Sequence, residues 1–186
     1  MTLEEVHRPV SRADSRSSYS GGMAAPDVDP AARRQGEAWA REAFERLDLP
    51  EAPTTDGLVA HVAELRGRPI HVAELPALTG TRTCGWWAAF EDRDEILIAT
   101  PLSDLHRDAL VLHELGHLVL DLTGVAPAGA GEAAALPGPV TGAAIRARRS
   151  HFTDATEIAA ELLADALHRE IRRGPRRASR FLTVFS

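Results

Sequence analysis

At 186 residues the chain has the size of one domain with some tail, and its 44% hydrophobic content suffices for a core of Ala, Leu, Val and Ile, because aromatic residues make up only 5%. A formal net charge of −6 argues against general nucleic-acid binding, and the 21 basic residues are all Arg, a compositional bias that leaves Arg counts with little functional meaning. The single cysteine, Cys84, excludes an intrachain disulfide and suits a reducing cytoplasm; no apolar run of about 18 residues offers a membrane span, and no apolar stretch marks a secretory signal.

Residues 1–30 are predicted to be a disordered tail, since Ser11 to Gly22 is Ser/Arg/Gly-rich with no apolar period. A helix is predicted over 31–48, its inner stripe Trp39, Ala43, Phe44 and Leu47, ended by Pro50 and Pro53. Thr55 or Asp56 is expected to cap a second helix, roughly 56–66, with Leu58, Val62 and Leu65 inward and Gly67 as its stop. His61 on this helix reads as an exposed or hydrogen-bonded side chain. Ile70 to Leu75 is predicted to be a strand and Pro76 to Thr83 a loop. Cys84 to Phe90 reads as a second strand, Glu91 to Asp94 as a hairpin turn, and Glu95 to Thr100 as a third strand. Trp86 and Trp87 are expected in the core, and Cys84 as a small buried residue rather than a nucleophile.

Ser103 is expected to cap a helix over 103–122 that carries His113-Glu114-Leu115-Gly116-His117. Residues four apart on a helix lie about 40° apart around its axis, so His113 and His117 can offer two imidazoles to one metal ion. Glu114 is turned by about 100°, beside the open coordination position, where a carboxylate can take a proton from water and pass it to a leaving amine. Two His and one Glu interrupting an otherwise apolar helix would cost several kcal/mol if buried without partners. A bound Zn2+ removes that cost, and the ion makes its water acidic, with a pKa of ~7.

Gly124 to Gly142, rich in Ala, Gly and Pro, reads as a mobile loop near the site, and Arg146, Arg148 and Arg149 as a solvated charge run. Thr153 or Asp154 is expected to cap a helix over 154–172, closed by Gly174-Pro175. Two His leave zinc short of ligands, and this helix supplies Glu157 and Glu161, one turn apart among Ala, Ile and Leu. Glu157 is the preferred third ligand and Glu161 the carboxylate that orients a ligating His. The exchange of their roles stays open, as does His151 as a rival ligand or oxyanion-steadying group. The end of the chain, 176–186, is a second tail whose Phe181 to Phe185 segment can add an edge strand or meet a partner.

With Cys84-Gly85-Trp86, Ile96-Leu97-Ile98, the Leu112 to Leu118 motif and Thr156-Glu157-Ile158-Ala159-Ala160-Glu161 in place, the chain resembles the ImmA/IrrE-type metallopeptidases over roughly residues 55–170. Members commonly carry Glu-x-Glu-Ala-Asn/Asp in the later motif; here Ala159 stands for the second Glu and Glu161 for the Asn or Asp. The resemblance implies an α+β minimal zincin fold, a small three-stranded sheet on the motif helix with further helices beneath, over residues 31–175. It implies a cytoplasmic zinc endopeptidase, a monomer or weak dimer, that cleaves a helix-turn-helix repressor or serves as the toxin half of a toxin–antitoxin pair. The alternative is a zinc-binding module that sequesters the repressor without cutting it. The strand before the motif helix is expected at the rim of the site, its edge free to pair with an extended substrate.

Overall fold

A computed structural model describes residues 29–79, 85–101, 103–126, 146–147 and 155–174. Several expectations concern residues outside this set: the first tail up to residue 28, the second tail, Cys84, His151, Arg148, Arg149, the caps Thr153 and Asp154, and the loop beyond residue 126; Asp29 and Pro30, expected in the first tail, begin a helix.

Helix α1 runs Pro30–Arg46, with Asp29 accepting from the Ala31 N–H and Pro30 in the first turn, where its missing N–H costs nothing. Its buried stripe is Gly36, Ala40, Ala43 and the capping Leu47; Trp39 and Phe44, expected on that stripe, are only half-buried at its margins. The small residues win the centre because α1 packs closely on the last helix. Helix α2, Thr55–Arg66, is capped by Thr54 rather than Thr55 or Asp56, the Thr54 hydroxyl accepting from Gly57 N–H at 3.0 Å. Val59 joins Leu58 and Val62 on the buried face, while Leu65, expected inward, is half exposed. Gly67 ends the helix at φ 71°, the left-handed conformation that glycine adopts without a Cβ penalty.

Strand β1 is Ile70–Glu74, followed by a 3-10 turn at Pro76–Leu78; β2 is Gly85–Ala89 and β3 is Asp94–Ile98. The β2–β3 hairpin closes through Phe90 N–H to Arg93 O at 2.8 Å, so Asp94 belongs to the strand and not, as expected, to the turn. β1, β3 and β2 form the small sheet that was expected, and among the described residues a two-residue strand extends it to the order β1-β3-β2-β4. Arg146–Ala147, expected to start a solvated charge run, forms β4 against Ala89 and Ala88. β1 is parallel to β3 and the other pairs are antiparallel. β3, expected to offer a free edge, is interior and paired on both sides. Alternation divides the sheet faces: Trp87, Ala89, Ile96 and Ile98 join the main core, while Trp86 and Leu97 pack with Leu78 and Ala99 on the other face.

Helix α3, Asp104–Thr123, is capped by Ser103, whose hydroxyl accepts from His106 N–H at 3.2 Å, and ends at Gly124. Arg46 of α1 closes the far end by donating to Thr123 O at 2.7 Å. Val111 and Leu112, then Glu114 through Leu120, are buried. A helix apolar nearly all round must be covered on all sides. The sheet, α1, α2 and helix α4, Ala155–Arg173, each pack on it. The architecture is thus α+β, with the motif helix at its centre. Among the described residues no helix is long and apolar enough to cross a membrane.

Candidate metal centre

Helix periodicity alone sets His113 and His117 one turn apart on α3, their ring centroids 5.0 Å apart and their planes nearly perpendicular at 84°. α4 then brings Glu157 against both. Its Oε1 lies 3.0 Å from His117 Nε2 and its Oε2 3.4 Å from His113 Nε2. One donor atom from each of His113, His117 and Glu157 falls within 4.8 Å of the others. Tetrahedral zinc, with bonds of about 2.0–2.2 Å, sets its ligand atoms roughly 3.4 Å apart, close to both measured separations.

His117 supplies the sharper test of fit. Its side chain is 1% exposed, yet neither ring nitrogen has a hydrogen-bond partner. Nε2 is near Glu157 without hydrogen-bond geometry, as expected where both atoms aim at a common third point. A buried polar atom left unpaired costs about 1–3 kcal/mol, and a divalent cation bound between the donors removes that cost at Nε2. His113 is held from its other side, Nδ1 lying 3.1 Å from Glu161 Oε2. That contact turns Nε2 towards the donor cluster and fixes the ring, as carboxylates behind metal-ligating His commonly do. Glu157 is thus the carboxylate level with both imidazoles, and Glu161, 67% exposed, stands behind one of them. Asp165 is exposed one turn further on and lies outside the cluster.

Glu114, next to His113 in the chain, occupies the gap between α3 and β2. It is 3% exposed and its carboxylate accepts from the Trp87 main-chain N–H. A Cβ built on Gly85 would sit on its carboxylate oxygen, so only glycine leaves the seat open. Burial pushes the Glu114 carboxyl above its ordinary range, the positive charge of the two imidazoles offsetting only part of that. Sequence reasoning found Glu114 but not its seat; the signal was a glycine inside a strand, which often marks close approach. It also missed Asp94 and Gly116. His61, expected to be exposed or hydrogen-bonded, is partly buried, and its Nε2 has no hydrogen-bond partner among the described residues.

Charge in the cluster is strongly coupled. Burial alone would lower the His113 pKa, but the adjoining Glu157 and Glu161 carboxylates and the Glu114 charge override it and raise it to about 10. Burial would likewise raise Glu157, but the two imidazoles bring it to about 2. His113 also holds Glu161 low, against a smaller opposing effect of burial.

The metal-free protein therefore gains its full His113 contribution below the ordinary pKa of 6.5 and loses it as pH rises towards 10. The Glu157 contribution is complete above 4.5 and lost as pH falls towards 2. A metal needs His113 neutral, so zinc binding near neutral pH is expected to release about one proton, and apparent affinity to rise about tenfold per pH unit. Calorimetric titration in buffers of different ionisation enthalpy checks this; an equal heat in every buffer would contradict it.

Comparison with protein-family models, with curated proteins and with solved structures gives no match to this chain.

Proposed function

We propose that the chain is a cytoplasmic zinc endopeptidase with a minimal zincin fold, of the ImmA/IrrE type, whose substrate is a helix-turn-helix repressor protein. The observation that carries this reading is the convergence of His113, His117 and Glu157 on one point, the buried His117 Nε2 lying 3.0 Å from the Glu157 carboxylate without hydrogen-bond geometry. These three side chains would hold the ion, and Glu161 would steady His113. When bound, zinc supplies Lewis acidity that makes water nucleophilic near neutral pH and polarises a scissile carbonyl.

The chain's own residues do the rest. Glu114 takes the proton of the attacking water on its carboxylate and returns it to the departing nitrogen. Its raised pKa brings it nearer the working pH, which favours both transfers. Trp87 N–H and Gly85 keep the carboxylate in one place, so no ordering is needed during the reaction. His113 lies on the open side of the cluster, its side chain 23% exposed, and leaves a flank by which a peptide can enter.

The test uses the full chain purified without chelators and helix-turn-helix repressors from the same genome. About one zinc per chain is expected, together with defined repressor fragments that chelation abolishes. A stable complex without fragments would instead make the protein a sequestering module. Protein free of metal would remove the basis of both readings.

A further inference from the structure

Resting on the metal-site reading above, we infer that Gly116, the motif residue just before His117, sets the distance between α3 and α4 and so positions Glu157. A Cβ built on Gly116 would stand 2.8 Å from the Ala160 carbonyl oxygen, 3.3 Å from its Cα and 3.4 Å from its carbonyl carbon. All three obstacles are main-chain atoms, so no rotamer change relieves them and the helices must move apart. Ala160 lies three residues after Glu157, one turn along the same helix. A shift at Ala160 is therefore carried to the carboxylate. Glu157 now sits 3.0 Å from His117 Nε2 and 3.4 Å from His113 Nε2. Metal sites tolerate errors in ligand distance of only about 0.2 Å, and the separation of α3 and α4 is what sets those two distances.

Gly116 sits in the middle of a 20-residue helix, where alanine is the better helix former. A glycine with no role beyond the helix would give a more stable protein on Gly116→Ala. The experiment compares the full-length wild type, Gly116→Ala and Leu167→Ala. Leu167 is fully buried on α4, two turns past Ala160, so its truncation weakens the same helix without wedging it away from α3. Zinc dissociation constants are measured by competition with a chromophoric chelator, metal-free stability by thermal unfolding, and helix spacing by crystallography.

Gly116→Ala is expected to bind zinc about tenfold or more weakly, with Glu157 drawn away from His117. Leu167→Ala is expected to lower the melting temperature and keep the wild-type affinity. Wild-type zinc affinity in Gly116→Ala, or an equal loss in Leu167→Ala, would overturn the assignment. Should the wild type itself bind no zinc, the metal reading falls and the crystal structures decide the positioning role. A longer Glu157–His117 separation in Gly116→Ala then upholds it, and an unchanged one refutes it.

Discussion

Under the proposed activity, Glu114→Gln is expected to lower repressor cleavage by about 10²–10⁴-fold while metal content stays at the wild-type level. Gln keeps the shape of the side chain and an oxygen for the Trp87 N–H, so the seat under β2 is still filled. It cannot accept a proton at working pH. The donor cluster consists of His113, His117 and Glu157 and does not include Glu114, so metal content should not change. Stability of the metal-free protein should hold or rise, since a 3% exposed carboxylate is replaced by a neutral amide. Gly85→Ala reaches the same group from the strand side: the new methyl takes the place of the carboxylate oxygen and forces Glu114 out. Turnover is expected to fall with zinc retained. Cleavage assays paired with metal analysis on both variants check the assignment; full turnover by Glu114→Gln would show that another group moves the proton.

Asp94→Ala is expected to cost about 3–5 kcal/mol of folding stability, a large part of the roughly 5–15 kcal/mol that holds a domain of this kind together. The Asp94 side chain is fully buried and gathers donors from three side chains, Arg66, Arg68 and Trp87. Arg66 Nε and Arg68 Nε each lie 2.6 Å from Oδ2, while Arg68 Nη2 and Trp87 Nε1 each lie 2.9 Å from Oδ1. Arg66 reaches on to Asp121 of α3 at 3.0 Å and lies over the Trp87 ring at 5.4 Å. One carboxylate thereby ties α2, the sheet and α3 together. Its removal takes from Arg68 its carboxylate partner and from Arg66 one of the two carboxylates it holds, and strips the indole N–H. Breaking a buried pair costs more than the pair contributed, because the remaining charge is uncompensated.

Asp94→Asn keeps the shape and loses the charge, and should fall between the two. Burial would raise the Asp94 carboxyl, but hydrogen bonds from Arg68, Arg66 and Trp87 outweigh it and hold it below the ordinary 3.8. Its contribution is therefore complete above that pH and lost as pH falls below it, so Asp94→Asn should lose less stability on acidification than the wild type. Urea unfolding across pH measures both effects. Wild-type stability in Asp94→Ala would show that the network does not hold the fold.

The sequence by itself determined what depends on near neighbours. The Ser103 cap, the αL stop at Gly67, the existence of α3 and α4, and the presentation of His113 and His117 on one face follow from a 3.6-residue period and short side-chain bonds. Glu157 and Glu161 were visible as a pair for the same reason. Which of them stands level with the imidazoles was not, because residues four apart share a face and differ only in height along the axis. That height is seen only where α4 meets α3, with Glu157 against both imidazoles 44 and 40 residues away in the chain. Asp94 looked like its neighbours in an acidic turn until Arg66 and Arg68 were brought to it across 28 and 26 residues. The place of β3 inside the sheet, the fourth strand and the seat of Glu114 beneath Gly85 likewise came only from tertiary structure. Local geometry is written in spacing, whereas the depth at which two elements meet is set by whichever distant atoms arrive between them.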